Sequence, residues 1–86
     1  MRVEVSSHLF EYTAGERVLE AHGATVRALI DDLETRHPRL RFRIVDEQGR
    51  LRTHMRVFVD TRSVRDLDTP LAGVTVVHLL GALSGG

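Results

Sequence analysis

The feature that most constrains this chain is one apolar stripe: Val26, Leu29, Ile30 and Leu33 fall at i, i+3, i+4 and i+7, the spacing of a single amphipathic helix face. Thr25 stands where an N-cap belongs, and Pro38 cannot continue the run. Arg36 and His37 fall in the last turn, where the helix dipole favours positive charge. One such helix needs one sheet face to cover it, and the rest of the chain supplies strand signals. Arg2 to Ser7 alternates, with Val3 and Val5 on one side. Ala14-Gly15 marks a turn, and Arg17 to Ala21 reads as the second strand of a hairpin.

Beyond the helix, residues 39–45 alternate like a strand yet suit a short helical turn equally well, and the pattern leaves the two open. Asp46 to Arg50 is polar with a glycine and reads as a loop leading to a buried strand at Met55 to Val59. Val74 to Leu80 is β-branched and long enough for a central strand. Thr69 to Gly73 reads as a tight turn that drops Leu71 onto the core. These signals predict one domain over residues 1–80, followed by a small-residue tail, 81–86, with little capacity to pack.

With 86 residues, the chain has room for one modest core and not for a two-lobed cleft. No apolar run approaches a membrane span, and Met1-Arg2-Val3-Glu4 reads as a strand rather than the start of a leader, so the expected location is the cytoplasm. The absence of cysteine excludes disulfides, thiolate metal sites and a persulfide on the chain. All twelve basic residues are arginine, so no lysine is present for Schiff-base or isopeptide chemistry. Residues 36–56 hold seven arginines against Asp46 and Glu47, although the formal net charge is zero. Histidines 8, 22, 37, 54 and 78 show no ligand spacing, so no metal is expected. Asp31 and Asp32 diverge by about 100° on a helix and read as a solvated face rather than an acid–base pair. Ser7, Ser63 and Ser84 have no positioned base, and no glycine-rich phosphate loop is present.

Four stretches carry a family resemblance: Tyr12 to Gly15 in the first turn, Thr25 to Leu33 in the helix, Leu67 to Leu71 before the last strand, and Leu80 to Gly86. In that order they resemble the molybdopterin-synthase small-subunit and thiamin-biosynthesis sulfur carriers, which have the ubiquitin-like β-grasp fold. The resemblance implies an α+β fold, a mixed sheet of four to five strands with one main helix packed across it. Carriers of this type often have Asn-Gly where Asp60-Thr61 stands, and an acidic pair where this chain has Ala72-Gly73-Val74.

The resemblance also implies the chemistry. A carboxylate is a poor electrophile, because its charge is delocalised and oxide leaves badly. In the family, an adenylating enzyme of the ubiquitin-activating type uses ATP to activate the terminal carboxylate, and a sulfur donor then displaces AMP. Gly86 would be the acyl-adenylate and thiocarboxylate carrier, and Gly85 the residue that threads the partner's channel, since a residue without Cβ passes where others do not. The chain itself would bind no cofactor and act as a co-substrate rather than an enzyme, passing sulfur to a sulfur-accepting synthase. By position in the family pattern, Val64 and Leu80, with Leu83 on the tail, are candidates for the apolar patch that docks partners.

Three alternatives stay open at this level. A ubiquitin-like protein modifier would use the same tail and the same activation. Arg39, Arg41, Arg43, Arg50, Arg52 and Arg56, interleaved with Leu40 and Phe42, suggest a nucleic-acid module, or a basic face that docks an acidic partner; zero net charge and 5% aromatic residues argue against the nucleic-acid reading. A structural β-grasp subunit with an incidental tail predicts that deleting Gly85 and Gly86 changes nothing.

Overall fold

The computed structural model describes residues 1–81. Strands β1 (Arg2–Val5), β2 (Val18–Glu20), β3 (Met55–Val59), β4 (Arg62–Val64) and β5 (Val76–Gly81) form one sheet in the order β2-β1-β5-β3-β4. Between β2 and β3 lie helices α1 (Val26–Arg36) and α2 (Leu40–Ile44). β1 and β5 run parallel at the centre, and every other pairing is antiparallel. This is the expected mixed-sheet β-grasp arrangement.

The helix forms where its stripe predicts. Val26, Leu29, Ile30 and Leu33 are all buried against the inward residues of the sheet. The Thr25 hydroxyl accepts from the Ala28 amide at 3.2 Å, and the 66–69 loop takes two further amides that a helix start leaves unpaired: Val26 N donates to Thr69 O and Arg27 N to Leu67 O. That loop is thereby tied to α1, and Leu71 reaches the core as expected. Asp60 adopts φ +55° in the β3–β4 turn, a left-handed conformation that aspartate tolerates. Its carboxylate accepts from the amides of Thr75 and Val76, joining the turn to β5.

The last strand starts at Val76 rather than Val74, the first strand is shorter than expected, and one open segment is resolved. β1 ends at Val5, because Ser7–Tyr12 coils into a 3₁₀ helix that buries Leu9. The open segment 39–45 is helical over Leu40–Ile44. Helical spacing brings Leu40 and Ile44, four residues apart, onto the core and turns Phe42 out to 60% exposure. Arg39 opens this helix at φ +77°, and Glu34 on α1 serves its unpaired amides, accepting from Arg39 N at 2.9 Å and Arg41 N at 2.8 Å. Those two amides, that of Arg39 foremost, hold the Glu34 carboxyl below its usual range.

Candidate functional site

The site expected from the sequence is the C-terminal segment, so its geometry begins where β5 delivers the chain. β5 is the central strand, flanked by β1 and β3. Met55 pairs with Gly81, so the backbone is in register with β3 to the last described residue, the one at which the tail was expected to start. On the other side, Ser6 N donates to Leu79 O at 3.1 Å and Gly81 N donates to Ser6 Oγ at 2.8 Å. Gly81 also has a steric role: a Cβ there would lie 3.1 Å from Cβ and Cγ of His8 on the 3₁₀ helix. Gly81, the root of the tail, is therefore bounded by Met55, Ser6 and His8.

Alternation along β5 sorts its side chains into two sets. Val77 and Leu79 are fully buried under α1, while Val76, His78 and Leu80 face the other way and are half-buried. Register places Arg56 opposite Leu80 and Phe58 opposite His78 on β3, and Glu4 opposite His78 on β1. The outer face of the sheet thus carries a strip of Phe58, His78 and Leu80 rimmed by Arg56 and Glu4. His78 Nδ1 lies 3.7 Å from Glu4 Oε1, close enough to pair when the imidazole is protonated.

The structure separates the expected patch residues. Leu80 is on the outer strip, whereas Val64 pairs with Val57 and packs half-buried against the core, so the two do not share a face. Val64 is an edge-of-core residue rather than part of the strip. Leu83, Gly85 and Gly86 lie outside the described residues. Phe58 and His78 were missed as members of the strip. The signal was present in β3, where inward Met55, Val57 and Val59 leave Phe58 facing out.

Among the described residues no group of three or more His, Asp or Glu side chains could hold a metal ion. Asp31 and Asp32 part as helical geometry requires: Asp31 pairs with Arg41 at 2.9 Å and Asp32 with Arg36 at 2.8 Å. The His22 amide, followed by Arg36, holds the Asp32 carboxyl below its usual range. Neither acid is placed for proton transfer to the other. No described helix is long and apolar enough to cross a membrane.

Comparison with known proteins agrees with this geometry. The model of the ThiS family matches residues 3–86. The sulfur carrier protein CysO of Mycobacterium bovis is 30% identical over 89 aligned positions, covering 98% of this chain and 96% of that protein. The crystal structure of the Amycolatopsis orientalis BexX/CysO complex contains a chain that superposes with a TM-score of 0.87 at 35% identity, covering 99% of this chain and 98% of that one. The small archaeal modifier protein 1 of H. volcanii superposes with a TM-score of 0.76 at 27% identity, covering 96% of this chain and 97% of that one.

Proposed function

The chain belongs to the ThiS family, and from that premise we propose that it is a sulfur carrier whose terminal Gly86 carboxylate becomes a thiocarboxylate. One observation carries the reading: a family match that runs through residue 86 continues a central strand paired in register with β3 up to Gly81 and tied on its other side by the Gly81 amide donating to Ser6 Oγ. Fixing the root of the tail in the central strand of the sheet lowers the entropy lost when a partner positions its end.

The reaction proceeds in two displacements. A carboxylate oxygen of Gly86 attacks the α-phosphorus of ATP on an adenylating partner, forming the acyl-adenylate and releasing pyrophosphate. Sulfide-level sulfur supplied by a donor then attacks the acyl carbon, the acyl–oxygen bond to AMP breaks so that AMP leaves with the electron pair, and loss of the sulfur-bound proton leaves the thiocarboxylate. That sulfur is a soft nucleophile, presented by a folded domain to a sulfur-accepting synthase. The chain supplies the acyl group and the docking surface, here the strip of Phe58, His78 and Leu80, and the partners supply ATP binding and catalysis. Gly85 fits the partner's channel because it has no Cβ. We propose the cytoplasm as the compartment for this chemistry.

The likeness to an archaeal modifier protein favours a second reading, in which the same activated Gly86 acylates amines on target proteins. A thiocarboxylate-specific trapping reagent, applied to protein recovered from cells, separates the two. Trapped monomer that disappears when Gly85 and Gly86 are deleted supports the carrier. High-molecular-weight adducts without trapped monomer support the modifier, and indifference to the deletion rejects both.

A further inference from the structure

The arginine-rich segment is assigned no role in the chemistry proposed for the tail, yet it builds a distinct surface. Among the described residues, Phe42 is one of two large apolar side chains left exposed, the other being Val18. The Arg52 guanidinium lies over the Phe42 ring at 4.6 Å, and its Nε donates to the Phe42 carbonyl at 2.7 Å. The Arg43 guanidinium lies over the Tyr12 ring at 5.8 Å. Tyr12, Phe42, Arg39, Arg43 and Glu34 line one groove between the 3₁₀ helix and α2.

The charges around this groove are unevenly satisfied. Arg41 and Arg36 have carboxylate partners in Asp31 and Asp32. Arg39, Arg43 and Arg52 have none among the described residues. Glu34 is the acid in the groove, and its two oxygens are engaged by the amides of Arg39 and Arg41. A guanidinium held over a ring can still turn its remaining N–H groups to a carboxylate, and its position on the ring lowers the side-chain freedom that binding would cost.

We propose that this groove docks an acidic segment of a partner protein, one that places an apolar side chain between Tyr12 and Phe42 and carboxylates on Arg39, Arg43 and Arg52. Charge complementarity chooses the occupant. A nucleic acid fits less well, because the Phe42 ring is already covered by Arg52 and offers a base no free stacking face on that side. The groove also sits beside the tail root. The 3₁₀ helix carries His8 against Gly81 near one end and Tyr12 beneath Arg43 at the other. A partner that receives the tail can therefore reach the groove, although binding here does not require that the tail carry sulfur.

The test is an amide NMR titration of the full chain with three probes: a synthetic peptide of glutamates and aspartates around a central leucine, its glutamine and asparagine counterpart, and a thymidine oligonucleotide. Saturable shifts at Tyr12, Phe42 and Arg43 with the acidic peptide are expected. Affinity should fall about tenfold with Arg43→Glu or with the neutral peptide, and should weaken with added salt. Phe42→Ser keeps every charge and should also weaken binding, which guards against a misfolded Arg43→Glu. No shifts at these residues, equal shifts with the neutral peptide, or tighter binding of the oligonucleotide at the same residues would overturn the proposal.

Discussion

The tail root and the α2 lobe flank the same 3₁₀ helix, and they are held together in different ways. At the root, backbone pairs with backbone: Gly81 with Met55, and Ser6 with Leu79. In the lobe, a Val45–Leu51 backbone bridge is joined by charged side chains, with Glu34 on the amides of Arg39 and Arg41 and Arg52 on the Phe42 carbonyl. Arg65 closes the lobe's far side by donating to the carbonyls of Leu51, Arg52 and Met55. The first construction is rigid and indifferent to charge, as a root for a tail should be. The second leaves guanidinium edges facing out and depends on ionised groups, which makes it sensitive to pH and to single substitutions.

The contrast is tested most severely in the strand. Leu79→Ala removes a fully buried side chain from β5 and should cost about 2–5 kcal/mol in urea unfolding; a loss under 1 kcal/mol would mean that the root is not the rigid half. Gly81→Val presses a side chain onto His8 and should cost about 1–3 kcal/mol, with His8→Ala in the same chain restoring part of it. No recovery in the double variant would show that His8 does not bound the root.

The lobe should respond to smaller changes and to acid. Glu34→Gln keeps the shape but weakens the acceptor for two amides, at a cost of about 1 kcal/mol near neutral pH. The sign of the pH dependence follows from the lowered carboxyl: with its folded pKa below the ordinary 4.5, Glu34 contributes its stability above the unfolded value and loses it as pH falls through the folded one. The difference between wild type and Glu34→Gln, followed by urea unfolding from neutral pH downward, should therefore shrink to nothing in acid; a difference constant with pH would remove Glu34 as an ionised cap. Phe42→Ser should be the mildest, within about 0.5 kcal/mol, since the ring is outside the core. A larger loss would mean that Phe42 packs as the strand pattern would have had it.

The same contrast explains what the sequence made legible. α1 and β3 were readable because their periodicity and their burial coincide: Val26, Leu29, Ile30 and Leu33 in one, Met55, Val57 and Val59 in the other. Segment 39–45 was ambiguous because Leu40, Phe42 and Ile44 fit a strand face, and what decides for a helix is an acceptor on another element, Glu34, which no local pattern reveals. The candidate site was legible in part for a similar reason. Strand alternation places Leu80 outward, but assigning Val64 to a face needs the β3–β4 register, which a pattern in β4 alone does not provide.

The central claim is that the Gly86 carboxylate accepts sulfur. Its most direct test is the intact mass of the untagged chain after incubation with an adenylating enzyme, ATP and a sulfur donor. The account expects the gain of one sulfur in place of one oxygen, mapped to Gly86 and absent from a chain lacking Gly85 and Gly86. No gain with several such enzymes, each active on its own carrier, would contradict it.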